Sequence, residues 1–220
     1  REQRLEVFNR VLRHNLRNDL TVVRGLAEEV RSQTTGEIAD TVDEIVTKTN
    51  ELMSTGEKSR SITDLLSEEP KRKSVDITSA VRSIAAEFAA ARPRVRIDVD
   101  APERLVVDTT LKIREAIEEL IRNAVIHNDR DTPSIEICIE ANDETAEIRI
   151  VDNGPGIPEM DRAVLETGQA IDDLFHGSGL GLWLVYWIIN RSDGSVVVES
   201  TEPRGTEVTI RLPRVADERR

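Results

Sequence analysis

Several residues in this chain are spaced as chemistry would need them. Glu115, Glu119, Asn123 and His127 recur at four-residue steps, which on a helix puts them along one face, opposite Ile113, Ile117, Leu120, Ala124 and Val125. A carboxylate and a carboxamide one turn apart suit a hard cation such as magnesium, which takes oxygen donors and completes its shell with water and phosphate oxygens. Read alone, the same row is an ordinary solvated face. Further on, Asp152-Asn153-Gly154-Pro155-Gly156-Ile157-Pro158 directly follows an alternating apolar run. An aspartate at a strand end can accept the exocyclic amine of a base such as adenine, while Gly154 and Gly156 let the backbone come close; a bare connecting turn would use the same residues. Gly177-Ser178-Gly179-Leu180-Gly181-Leu182 then opens an apolar helix, where small residues and free N–H groups suit a di- or triphosphate. No Gly-Lys-Ser/Thr follows and the dinucleotide-fold glycine spacing is absent, so this is neither common phosphate loop. Gly205-Thr206 enters the last strand. Near the start, His14 lies opposite an apolar stripe and among Arg10, Arg13 and Arg17. That placement gives a solvent-facing imidazole, whose ordinary pKa of about 6.5 leaves much of it neutral and nucleophilic at pH 7.

The elements that must position these residues fall into two halves. From Arg1 to Glu69 there is no proline, and Leu5, Phe8, Leu12, Leu16, Leu20, Val23, Ala27 and Val30 form one helical stripe. Ser32-Gln33-Thr34-Thr35-Gly36 breaks it as a turn, and a second helix over Glu37 to Leu66 places Ile38, Val42, Ile45, Leu52, Ile62 and Leu65 inward. Residues 1–69 thus read as an antiparallel helical hairpin. A lone hairpin buries too little, so pairing with a second copy into a four-helix bundle is expected. Residues 70–74 read as a charged, proline-marked linker. Residues 75–214 mix strands and helices without strict alternation: strands at Val75–Ile77, Val95–Val99, Leu105–Val107, Ile135–Ala141, Ala146–Val151, Ser195–Ser200 and Thr206–Leu212, and helices at Thr78–Ala91, Thr109–Asn128 and Gly179–Asn190. The expected class is α+β, an α/β sandwich with helices on one sheet face, ending in a short tail at 215–220.

Composition narrows the partners. The 220 residues carry a net charge of −12, so a basic nucleic-acid platform is excluded, and an anionic membrane surface would repel this fragment. The longest apolar runs fall short of a bilayer span. The opening on Arg1, with no signal pattern, reads as an excised, cytoplasmic fragment whose parent is free to be membrane-anchored. The lone Cys138 reads as a small buried hydrophobe. Acid-rich, lysine-poor composition resembles that of proteins from salt-loving microbes, where surface carboxylates maintain solubility in brine. Asn190-Arg191-Ser192 matches a glycosylation sequon but reads as a helix end and turn.

Taken in order, the Asn123 helix, Asp152-Asn153-Gly154-Pro155-Gly156, Gly177-Ser178-Gly179-Leu180-Gly181 and Gly205-Thr206 resemble the ATP-binding domain shared by histidine kinases, gyrase, heat-shock protein 90 and the mismatch-repair ATPase. Val11-Leu12-Arg13-His14-Asn15-Leu16-Arg17-Asn18 resembles the phosphoacceptor box of two-component sensor histidine kinases, with Asn18 at the fourth place after the histidine. The likeness runs from about Arg4 to Leu212, and halophilic archaeal members look especially similar. It implies a homodimer built through the N-terminal helices. It also implies ATP bound between the Asn123 helix and a flexible segment at 159–176, with Asp152 reading adenine and Asn123 with Glu119 holding Mg2+. His127, Gly154, Gly156, Leu180 and Thr206 would line the nucleotide, Gly177, Gly179 and Gly181 would hinge the phosphate-side lid, and Leu174-Phe175 would clamp it. His14, oriented by Asn15 and Asn18, would take the γ-phosphoryl group and pass it to an aspartate of a response-regulator receiver domain.

Three places depart from the family pattern. Asn15 stands where many members carry an acidic proton acceptor, and an amide is no base. Ile126 replaces a common lysine, and no basic residue lies between Ala163 and Phe175. Glu119 replaces a frequent asparagine and is suited to polarising water. A nucleotide-binding signalling scaffold without kinase turnover, and a conformational ATPase, therefore stand beside the kinase expectation.

Overall fold

The computed structural model describes residues 2–67, 72–169 and 179–214, with side chains from Leu16 onward. Two units emerge, dividing between Thr63 and Asp64. The first holds α1 (Glu2–Ser32) and most of α2 (Glu37–Ser67). Arg17 pairs with Glu57 at 3.2 Å and Arg31 with Asp43 at 2.8 Å. Between these bridges each helix advances by the same length in opposite directions, which fixes an antiparallel hairpin. Of the expected inward row, Ala27, Val42, Ile62 and Leu65 are buried, but Leu16, Val23, Val30, Ile38, Ile45 and Leu52 are exposed, as are Val22 and Leu26. Two helices have only one mutual contact line, so a broad apolar stripe on each cannot be covered within one chain.

The second unit carries a five-stranded sheet in the order β2-β4-β5-β7-β6: Arg96–Asp100, Ser134–Ala141, Thr145–Asp152, Thr206–Pro213 and Ser195–Ser200. β2 runs parallel to β4 and the other pairs are antiparallel. Ile135, Ile137 and Ile139, Ala146, Ile148 and Ile150, and Val208, Ile210 and Leu212 alternate onto one buried face. α3 (Ile77–Ala91), α4 (Ile113–Ile126) and α6 (Gly179–Asn190) bring Ile84, Ile117, Ile121, Val185 and Ile188 to the same core. Burying each such side chain stabilises the unit by roughly 1.5–3 kcal/mol. Asp76 caps α3, its carboxylate accepting from the Ser79 N–H. The sequon tripeptide ends α6 in a turn with Ser192 fully buried.

Four local expectations need correction. Part of the expected linker is strand β1 (Arg72–Asp76), paired antiparallel with β3 (Val106–Thr110). Thr109 and Thr110 belong to that ladder, so α4 starts at Ile113 rather than Thr109. The first part of the expected flexible segment is α5 (Glu159–Thr167), anchored by buried Val164 and Leu165. Cys138 is half-buried on the outer sheet face, since Ile137 and Ile139 point inward, and its Sγ lies 3.6 Å from a Glu140 oxygen.

Candidate functional site: a cleft between α4, α5 and the sheet

The cleft opens where β5 ends. Register places Asp152 between Ile135 of β4 and Thr206 of β7, at a position flanked on both sides by strand. Its Oδ1 accepts the Gly154 N–H at 2.7 Å, which folds the chain sharply away from the sheet. Burial pushes the Asp152 carboxyl up from the ordinary range, while hydrogen bonds from the Gly154 N–H and from the Thr206 N–H and hydroxyl pull it back. Two glycines make the turn possible. A Cβ on Gly154 would sit 2.9 Å from Asp152 Oδ1, and Gly205, at φ +144°, would drive a Cβ to 2.1 Å from the Asp152 carbonyl oxygen.

Around Asp152 lies a cleft of about 670 Å³, whose walls include Asn123, Ala124 and His127 of α4, Gly156 and Pro158 of the turn, Asp161 and Leu165 of α5, Leu182 of α6, and Thr206 and Val208 of β7. Polar groups are few and converge from different elements over an apolar floor of Leu120, Ile150 and Val208, the usual make-up of a small-molecule site. Asp161 is also pushed upward by burial, opposed by the charge of nearby His127. The rim is braced by an amide network that sequence reasoning missed. Asn128 Nδ2 donates to Asn153 Oδ1 at 2.9 Å, the Ser134 N–H donates to the same oxygen at 3.0 Å, and Arg130 Nε donates to the Asn153 carbonyl at 3.2 Å. Its only signal in sequence was a polar residue following His127 and another following Asp152.

Among the expected site residues, Asn123, His127, Asp152, Gly156 and Thr206 are brought together, with Gly154 against Asp152. Glu119 lies one turn before Asn123 but is buried beside the cleft rather than lining it, its Oε2 bonded to Arg122 Nη1 at 2.8 Å. Gly179, Leu180 and Gly181 form the first turn of α6, and only the next residue, Leu182, reaches the cleft. Gly177, like Leu174-Phe175, lies outside the described residues. Asn18 is an exposed residue of α1; His14 and Asn15 lie on the same helix, their side chains outside the described residues.

Among the described residues no three His, Cys, Asp or Glu side chains gather around a metal position. Of the expected pair, the Asn123 carboxamide lines the cleft while the Glu119 carboxylate is bonded to Arg122 beside it, so the site fits only an ion that takes most of its shell from phosphate and water, as magnesium does. They do not make a cage for a metal held by protein alone.

Residues 108–216 match the family described as histidine kinase-, DNA gyrase B-, and HSP90-like ATPase. The whole chain is more narrowly similar to sensor histidine kinase catalytic cores. Sporulation kinase B of Bacillus subtilis is 26% identical over 91% of this chain and 47% of its own length. The methanogenesis regulatory histidine kinase FilI of Methanothrix harundinacea is 34% identical over 60% of this chain and 14% of its own. The chain spans less than half the length of these relatives. Among solved structures, full-length ShkA in complex with AMPPNP aligns at a TM-score of 0.71 with 21% identity, over 94% of this chain and 46% of that one. The Acinetobacter baumannii histidine kinase AdeS aligns at 0.61 with 20% identity, over 91% and 98%. At these identities the two structures speak for the fold alone. No described helix is long and apolar enough to cross a membrane.

Proposed function

We propose that the chain is the core of a sensor histidine kinase, taking the γ-phosphoryl group of Mg-ATP onto His14 and passing it to a response-regulator aspartate. The observation that carries this is the cleft itself: about 670 Å³, with Asn123, Asp152 and Thr206 converging from three separate elements. Asp152 accepts the adenine amine, and Thr206 holds the carboxylate's orientation from the neighbouring strand. Asn123 supplies an amide oxygen to magnesium, Glu119 stands one turn behind it, and His127 adds a ring donor on the same wall. When held there, the ion would supply charge neutralisation at the phosphate oxygens. The first turn of α6, with Gly179, Leu180 and Gly181, offers backbone N–H groups to the phosphates. A neutral imidazole nitrogen of His14 attacks the γ-phosphorus, the bond to the ADP oxygen breaks, and the imidazole proton leaves to solvent; Asn15 and Asn18 orient the ring. Exposed apolar side chains on both helices supply the surface for a homodimer.

Incubation with γ-labelled ATP and magnesium tests the reading. The expected product is acid-labile, alkali-stable label on the protein that is absent in His14→Gln and moves to a receiver domain. Asn123→Asp should abolish magnesium-dependent nucleotide binding. Nucleotide binding with no label would point instead to a signalling scaffold. Free phosphate released equally by His14→Gln would point to an ATPase, a reading the Glu119–Arg122 ion pair weighs against, because that carboxylate is occupied away from the cleft.

A further inference from the structure

A second hollow, of about 510 Å³, lies between the turn joining α3 to β2 and the loop joining α4 to β4. Its walls are Arg92, Pro93, Arg94 and Val95 on one side and Arg130, Asp131 and Pro133 on the other, with Val125 of α4 beneath. The Arg96 N–H donates to the Pro133 carbonyl at 2.8 Å, which ties the two walls together. Arg92 is steadied over the Phe88 ring, 5.6 Å from its centroid, and Arg130 by its bond to the Asn153 carbonyl.

The charge here runs against the rest of the molecule. The chain has 42 acidic and 30 basic residues, so a guanidinium has an excess of carboxylates to choose from. Arg17, Arg31, Arg72, Arg114, Arg122 and Arg211 all take one. Among the described residues, Arg92, Arg94 and Arg130 form no ion pair; Asp98 pairs with Arg96, and Asp129, which also feels the charge of Arg130, is bonded to Arg204. Three arginines and one carboxylate, Asp131, line the hollow, a formal excess of two positive charges. Guanidinium forks match the geometry of a tetrahedral oxyanion, and the prolines and valines beside them offer an apolar wall.

We propose that this hollow binds a small dianion of the phosphate class, a phosphomonoester with an apolar body or inorganic phosphate. The inference goes beyond the kinase reading and does not depend on it: the hollow and the nucleotide cleft share no lining residue, and Arg130 alone touches both, through its bond to the Asn153 carbonyl at the cleft rim. Side-chain NMR of the full chain, following the arginine Nε–H signals, tests it. Phenyl phosphate and inorganic phosphate are titrated separately at matched ionic strength against chloride. Saturable shifts of the Arg92, Arg94 and Arg130 signals are expected with phosphate but not chloride. Arg92→Gln/Arg94→Gln should weaken the binding at least about tenfold, and Arg94→Gln alone, at an exposed turn, provides the same readout should the double variant misfold. Tighter binding of phenyl phosphate identifies the monoester as the ligand type, and equal binding identifies free phosphate. Shifts that chloride reproduces, or phosphate binding unchanged in the arginine variants, would overturn the proposal.

Discussion

At the scale of single residues, Asp152 carries two opposed demands. In its proposed role Asp152 needs to be an ionised acceptor for a base amine, yet burial at the end of β5 raises its carboxyl, so the folded state prefers the protonated form more than the unfolded chain does. Such a group favours the fold below its ordinary value of 3.8, and that contribution is lost as pH rises through the higher folded value. Asp152→Asn should therefore flatten the fall of stability with pH just above 3.8, read as urea midpoints across a pH series, while nucleotide binding at pH 7 drops by at least about tenfold. An unchanged pH slope would mean that the Gly154 and Thr206 hydrogen bonds already offset the burial. Gly205 is constrained by geometry rather than charge. Gly205→Ala puts a methyl carbon onto the Asp152 carbonyl in a backbone region that L-residues avoid, and should cost about 1–3 kcal/mol in chemical denaturation with loss of nucleotide binding.

Secondary-structure elements decide how much of this was legible beforehand. β4, β5 and β7 alternate cleanly because one sheet face is buried and the other wet, and α6 is apolar all round because it lies in the core, so both were readable. The same alternation contained the answer for Cys138: with Ile137 and Ile139 inside, the residue between them must face out. α5 escaped notice because nine residues with just two buried positions give too little periodicity. The start of α4 was misplaced because Thr109 and Thr110 are satisfied by β1, a partner more than thirty residues earlier that local pattern cannot reveal. Asn123, Asp152 and Thr206, which line one cleft, could be singled out because backbone geometry or chemistry asks for their types; the Asn128–Asn153 brace could not, because its pairing spans 25 residues and exists only in the fold. That brace makes a prediction of its own. Arg130→Gln removes the side-chain donor to the Asn153 carbonyl, and losing one such hydrogen bond, about 1 kcal/mol, should weaken nucleotide affinity by about fivefold in calorimetric titration without changing the thermal midpoint appreciably. Unaltered affinity would show that Asn128 and Ser134 hold the loop unaided.

For the whole molecule, the unresolved demand is the apolar surface left on the hairpin, where Leu26 is 57% and Leu52 58% exposed. If a second copy covers it, Leu52→Glu should shift the sedimentation coefficient from dimer to monomer at micromolar concentration while leaving helicity intact, because most of the side chain is exposed within its own chain. The same association must work against charge: two copies double a net charge of −12, and the dimer brings those charges together. Screening lengths fall from about 10 Å at 0.1 M salt to about 3 Å at 1 M. Potassium chloride over that range should therefore raise the urea midpoint and tighten dimerisation, and the gain should shrink in a variant whose exposed acids, such as Glu136 and Glu144, are replaced by glutamine. Chloride is the informative salt, because sulfate would also strengthen apolar burial and blur the cause. Individual ion pairs such as Arg17–Glu57 weaken under the same screening, but exposed pairs contribute only about 0.2–1 kcal/mol each and lose part of that, whereas self-repulsion is summed over the whole surface. A midpoint that falls with potassium chloride would show that the paired charges outweigh the repulsive excess, and would remove the physical basis for reading the composition as an adaptation to brine.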